Sequence, residues 1–205
     1  VNLKEGDRMN LNPIILEVMK KNNNIITTAQ IVSLGFSKTT ITKYVKAGAM
    51  ERVRQGVYTL PDSVHDDMYT MMLRSENIIF SHDTALFLNG LSDRTPFEHS
   101  ITIPQNASLP RTLIGECVCY YVKPELHSLG MVKKKTTMGN EVRCYDPERT
   151  ICDLLRSRNR LDEEMVISAM KNYAAYKEKD LNKLGSYAEK FRVTSILKKY
   201  LEVLL

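Results

Sequence analysis

The first apolar pattern in the chain has helical spacing. In NLNPIILEVMKKNN, Leu11, Ile14, Ile15, Val18 and Met19 fall on one stripe, and Pro13 suits a first turn. Asn22–Asn24 ends that helix. A second helix is expected from Thr28 to about Leu34, with Thr27 as its N-cap and Gly35 closing it. Ser37 then caps a third helix that stops at Gly48. On a wheel of 100° per residue, Ile41, Tyr44 and Val45 form its inward stripe, while Thr39, Lys43 and Lys46 point away and Thr42 flanks them. Two extended pieces follow, Glu51–Arg54 and Val57–Leu60. They flank Gln55-Gly56, where glycine supplies the positive φ of a tight hairpin. Period-two alternation in this hairpin would project Arg52 and Arg54 together from one side and Val53 from the other.

Beyond Pro61 the pattern loosens to about Asp67, which reads as a domain boundary. Helical spacing returns in Asp67–Ser75 and in SHDTALFLNGL, where Ala85, Leu86, Leu88 and Leu91 are core candidates. Alternation marks HSITIP, ECVCYYVK and EVRCY as strands, and MVKKKTTM as an edge strand because of its three lysines. From Asp146-Pro147 onward the chain is helical. Ile151, Leu154 and Leu155 point inward, Asp162 and Asp180 cap two further helices, and a last helix carries Ile196, Leu197, Tyr200, Leu201 and Leu204 on one face. The expected fold class is α+β: a winged helix-turn-helix over residues 9–62, then a mixed α/β domain over 67–205 ending in a helical bundle. Residues 1–8 read as a tag or upstream extension.

Charge sharpens this picture. The 205 residues carry a net +5, unevenly distributed. Residues 1–60 hold nine Lys/Arg against four Asp/Glu, 61–170 twelve against sixteen, and 171–205 eight against four. A basic head and a basic tail suggest an anionic partner. The outward face of the third helix has no acid, whereas a face built only for solubility usually mixes Glu with Lys. Ser37, Lys38, Thr39, Thr40, Thr42, Lys43 and Lys46 on this helix, with Arg52, Arg54 and Gln55 on the hairpin, are therefore the candidate contacts to double-stranded DNA. Threonine offers a hydroxyl and a methyl to base edges, and the cations neutralise phosphates. A helical module used for protein contact is the competing reading.

Cys117, Cys119, Cys144 and Cys152 match no zinc spacing and read as free thiols in a reducing cytoplasm. His65, His82, His99 and His127 lack ligand spacing; His82, after Ser81 at a helix start, is the one that stands out. Met68, Met71 and Met72 read as adaptable core. No apolar run is long enough to span a bilayer. Asp146, Glu148 and Asp153 lie on one helix, and Glu141-Val142-Arg143 echoes the E-x-K of metal-dependent nucleases. Asp146 is better explained as an N-cap, Glu148 as a first-turn acid and Asp153 as the i+4 partner of Arg149. No phosphate-binding glycine loop or hydrolase motif is present. No catalytic residue, metal or cofactor is expected.

Three stretches carry a family resemblance: the helical module closed by GVYTLP, then FSHDTALFLNGLSDRTP, then DPERTICDLLRSR. Together they resemble the AbiEi antitoxins of the abortive-infection AbiE (type IV) toxin–antitoxin systems of phage defence. The resemblance implies a transcriptional repressor that binds inverted repeats in its own promoter and so autoregulates its operon. It also implies a C-terminal domain that is needed for antitoxicity and assists DNA binding. The partner would be a nucleotidyltransferase-like toxin, opposed without a stable complex. The expected setting is the bacterial cytoplasm, as a monomer in solution or a dimer on DNA. For antitoxicity or a second basic surface, the candidates are Arg149, Arg156, Arg158, Lys183, Lys190 and Arg192. A ligand-responsive regulator without an antitoxin role and a metal-dependent nuclease remain the alternatives.

Overall fold

The computed structural model describes residues 11–61, 63–64 and 66–204, with the side chains of Val203 and Leu204 left aside. The expected leading segment 1–8, His65 and the inward placement of Leu204 therefore lie outside the described residues. The chain divides into two units. One runs to Thr70 and takes in Thr137–Asn140; the other comprises Met71–Thr136 and Glu141 onward.

The first unit runs α1 (Pro13–Lys21), β1 (Ile25–Thr27), α2 (Thr28–Ser33), α3 (Lys38–Lys46), β2 (Glu51–Arg54) and β3 (Val57–Thr59). Asn12 caps α1, its side chain accepting from the Ile14 N–H at 2.9 Å. Ile15 and Met19, one turn apart, form the buried stripe, so Ile14 falls to its flank and is 54% exposed rather than inward. Thr27 and Gln30 close a reciprocal capping box at the start of α2. The short strand β1 was not expected. It pairs antiparallel with β3, giving the sheet order β1-β3-β2. Ile15, Met19, Ile26, Ile31, Ile41, Tyr44 and Met50 form the core beneath it.

After α4 (Asp67–Met72) the second unit builds a five-stranded mixed sheet from β4 (Ile79–Phe80), β5 (His99–Pro104), β6 (Cys117–Val122), β7 (Met131–Lys135) and β8 (Glu141–Tyr145). The order is β6-β5-β4-β8-β7, with β4/β8 and β5/β6 parallel and the other pairs antiparallel. The lysine-bearing β7 lies at an edge, as expected. Helices α5 (His82–Leu88), α6 (Pro124–His127), α7 (Pro147–Ser157), α8 (Glu163–Ala175), α9 (Leu181–Phe191) and α10 (Thr194–Leu204) complete the unit. Leu86 of α5, Ile151, Leu154 and Leu155 of α7, Met170 of α8, Leu184 of α9 and Leu197 of α10 share one apolar core. Asp146, Asp162 and Asp180 cap α7, α8 and α9 through their side chains. Helix α7 is buried from Glu148 through Leu155, polar residues included, which makes it the central helix of this unit.

Candidate nucleic-acid interface and buried polar clusters

Helix α3 presents the face its sequence pattern requires. Ile41 and Tyr44 are buried, while Ser37, Lys38, Thr39, Thr42, Lys43 and Lys46 are exposed and Thr40 is half-buried. The start of the helix is pre-ordered. The Ser37 hydroxyl accepts from the Thr40 N–H at 3.3 Å and shares hydrogen bonds with the hydroxyls of Thr39 (2.6 Å) and Thr40 (3.1 Å). Thr42 Oγ1 donates back to the Lys38 carbonyl at 3.4 Å. Ser37 is saturated by these contacts, whereas the hydroxyl oxygens of Thr39, Thr40 and Thr42 each keep a lone pair for an external donor. Among the described residues, Lys38, Lys43, Lys46 and Arg52 make no ion pair and no side-chain hydrogen bond.

The hairpin departs from the expectation. Arg52 pairs with Tyr58 and Arg54 with Val57, because a bulge interrupts β2 between them. Tyr58 and Val57 are consecutive and face opposite ways, so Arg52 and Arg54 do not project from one side. Arg52 is exposed, whereas Arg54 is half-buried and engaged within the protein. Gln55 is exposed at the tip. Gly56, at φ +76, hands its carbonyl to the Thr28 N–H at 2.9 Å, which ties the turn to the start of α2.

In the second unit, the residues considered for a second basic surface separate. Arg149 is not on a surface: it is 0% exposed, and the expectation that it lies on a basic face is corrected by its burial. Its Nε donates to Asp153 Oδ2 at 3.1 Å and its Nη1 to the carbonyls of Leu126 and Leu129, both at 2.7 Å. The guanidinium lies 4.0 Å from the Tyr145 ring centroid and 4.1 Å from that of Phe191. Lys183 is also committed inward, bridging Asp146 (3.0 Å) and Glu148 (3.3 Å). Burial pulls against its charged form, but the two carboxylates more than offset this and hold its pKa above the usual lysine value. Arg158 donates to the Leu155 carbonyl. Arg156, Lys190 and Arg192 do converge, lining one cleft of about 380 Å3 with Gln105 and Lys123.

The carboxylates weighed for nuclease chemistry are each consumed locally. Asp146 caps α7 through the Arg149 N–H at 2.8 Å and takes Lys183 on its other oxygen. Glu148 accepts from the Tyr173 hydroxyl and the Asp180 N–H, both at 3.1 Å. Asp153 holds Arg149, and burial, only partly countered by that guanidinium, raises its pKa. Arg143, the basic residue of the E-x-K echo, instead closes the end of α4. It donates to the carbonyls of Met72, Ser75 and Ile78. Among the described residues no three His, Cys, Asp or Glu side chains are placed to share a metal ion.

His82 merits the notice its sequence position drew. It opens α5 at φ +49, a left-handed conformation that costs a non-glycine residue energy, and it is buried. Ser81 Oγ lies 2.9 Å from Nδ1 and Ser157 Oγ 3.0 Å from Nε2, while the Tyr120 ring stacks on the imidazole at 3.4 Å. Burial, with the nearby Arg149, Arg156 and Arg160 adding to it, depresses its pKa to about 3, so the ring is neutral near neutral pH. Its partners Ser157 and Tyr120 carry no local motif. Only the pairing of β5 with β6 and the length of α7 bring them together.

Residues 13–61 match the family described as "Transcriptional regulator, AbiEi antitoxin". That segment is similar to AbiEi antitoxin regulators. The matched segment covers α1 through β3 and ends at the hairpin, so it contains every residue named for the DNA interface. No curated protein matches the chain. The crystal structure of the RV2827C protein from Mycobacterium tuberculosis is similar to it with a TM-score of 0.63 at 11% identity, across 96% of this chain and 80% of that one. The likeness concerns the fold and extends well past the matched segment. No described helix is long and apolar enough to cross a membrane.

Proposed function

We propose that this protein is a DNA-binding transcriptional repressor with an antitoxin role, its first unit a winged helix-turn-helix. In this reading α3 enters the major groove of duplex DNA, and Ser37, Lys38, Thr39, Thr40, Thr42 and Lys43 face the bases and nearest phosphates. Lys46 and the hairpin residues Arg52 and Gln55 reach the flanking backbone, and Arg54 supports the hairpin from within. The observation that carries the reading is the exposed, carboxylate-free face of α3, whose lysines have no partner among the described residues. Such cations beside pre-ordered hydroxyls suit phosphate and base edges together. The match of residues 13–61 to AbiEi regulators supports the same conclusion.

The operator would be inverted repeats in the protein's own promoter, giving autoregulation of a toxin–antitoxin operon, with one copy on each repeat. The second unit would oppose a nucleotidyltransferase-like toxin without a lasting complex, its exposed Arg156, Lys190 and Arg192 being the candidates. The setting is the bacterial cytoplasm, in keeping with four free cysteines.

The deciding experiment measures binding of the full chain to its promoter duplex at about 0.15 M salt, the physiological screening regime. Lys43→Glu with Arg52→Glu should abolish the complex while leaving thermal unfolding unchanged. A doubly reversed variant that still bound with parental affinity would remove α3 and the hairpin from the interface. Truncation after Leu60 should lose toxin neutralisation in cells; full neutralisation by the truncated chain would overturn the role given to the second unit.

A further inference from the structure

The second unit contains a cleft of about 260 Å3, beside the one lined by Lys190 and Arg192 and sharing Arg156 and Gln105 with it. Its walls include His82, Tyr120, Asp153, Arg156, Ser157 and Arg160. Behind it runs a hydrogen-bond chain whose direction can be worked out. Thr102 Oγ1 donates to Ser81 Oγ at 2.8 Å. Ser81 is fully buried, so its own proton needs an acceptor, and the contact left for it is His82 Nδ1. That fixes Nδ1 as the acceptor and puts the ring proton on Nε2, which donates to Ser157 Oγ. The Ser157 hydroxyl proton is then free to be donated into the cleft it lines.

The remaining polar groups have the same sense. Arg156 and Arg160 are exposed, and among the described residues neither has an ion pair or hydrogen bond. Among the described residues that line it, Asp153 is the one carboxylate, and its Oδ2 is already taken by Arg149. The imidazole adds no charge but cannot act as a base toward the cleft, since both nitrogens are occupied. The site therefore offers two guanidinium groups, an aligned hydroxyl and the Gln105 amide, with the Tyr120–His82 stack forming one wall. Guanidinium pairs with a hydroxyl suit the oxygens of a phosphate, and an aromatic wall suits a flat or apolar substituent on it. The volume lies below the range of drug-sized pockets, which limits the ligand to a small one.

We propose that this cleft is a binding site for a phosphate monoester, its phosphate held by Arg156, Arg160 and Ser157 and its organic part against Tyr120. The chemistry is shared by a free nucleoside monophosphate and by the terminal phosphate of a nucleic acid strand. The site does not rest on the DNA reading of α3, and charge reversal at Lys43 should leave it intact.

The test is calorimetric titration of the full chain with inorganic phosphate, each of the common ribonucleoside monophosphates, and a short single-stranded oligonucleotide with and without an end phosphate. Saturable binding of a phosphorylated probe is expected. Arg156→Gln with Arg160→Gln should weaken it by roughly tenfold or more, the scale of one charge-assisted hydrogen bond. Lys171→Gln with Lys198→Gln, an equal change of charge away from the cleft, should not. Ser157→Val should weaken it and Ser157→Thr retain it. Tighter binding of the mononucleotide identifies a free ligand, and tighter binding of the phosphorylated strand identifies a nucleic acid end. If no phosphorylated probe binds, or if the cleft and control variants bind alike, the proposal is wrong.

Discussion

Replacing Arg149 with methionine tests whether the second unit is organised around one buried cation. Methionine fills the space of the side-chain stem but supplies no donor. The change leaves the Leu126 and Leu129 carbonyls and the Asp153 carboxylate without the hydrogen bonds they make at 2.7, 2.7 and 3.1 Å. It also removes the guanidinium from between the Tyr145 and Phe191 rings. Each orphaned buried acceptor costs about 1–3 kcal/mol, and breaking a buried pair by removing one partner costs about 3–5 kcal/mol in all. The upper end is reached only if Asp153 stays charged. Burial already raises its pKa, so it can take up a proton instead, which places the expected loss at about 3–4 kcal/mol. Urea unfolding followed by circular dichroism should show the deficit. The double variant Arg149→Met with Asp153→Leu should recover about 1 kcal/mol or more, because the carboxylate no longer needs a donor. A single variant within about 1 kcal/mol of the parent would refute the idea that this cluster holds α7 in place.

Gly130 supports the same region. An added Cβ would lie 2.7 Å from Arg149 Cβ and 3.1 Å from Asp146 Oδ2, at a φ of +77, so Gly130→Ala should cost about 2–4 kcal/mol by the same unfolding measurement. Acidification should also destabilise the protein through His82. Its folded pKa of about 3 lies below the ordinary 6.5, so between these values the unfolded chain binds the extra proton and stability falls as pH falls. From about pH 7 to about pH 4.5 the loss is about 2.5 kcal/mol, partly offset by Asp153, whose raised pKa acts in the opposite direction. His82→Gln should flatten this dependence, and an unchanged pH slope would show that the ring is not held neutral. For the DNA interface, the four cations Lys38, Lys43, Lys46 and Arg52, without a partner among the described residues, predict a slope of log affinity against log salt of roughly −3.6 per bound copy, and Lys46→Ala should lessen it by about 0.9. An unaltered slope would take Lys46 off the phosphate backbone.

Local chemistry made much of this fold legible. Thr27, Ser37, Asp146, Asp162 and Asp180 all cap the helices assigned to them, because a cap is decided within three residues. The inward stripe of α3 followed from its period. Strands β1 and β4 escaped because two or three residues cannot display alternation, and they exist through partners distant in sequence. The bulge in β2 likewise depends on how β2 meets β3, so alternation placed Arg54 on the wrong side. Arg149 was misread as superficial because arginine is almost never fully buried unless paired, and four of its partners come from outside α7. His82 was visible as an unusual residue, but the cleft around it was not.

The lysines of β7 also bear on how copies of this chain can meet. Lys133 and Lys135 are exposed on the last strand of the five-stranded sheet, whose outer backbone groups would otherwise invite strand addition. A second β7 laid alongside would bring like charges opposite one another at strand spacing, which is unfavourable. Sheet extension across that border is thus disfavoured, and self-association has to be sought on some other part of the molecule.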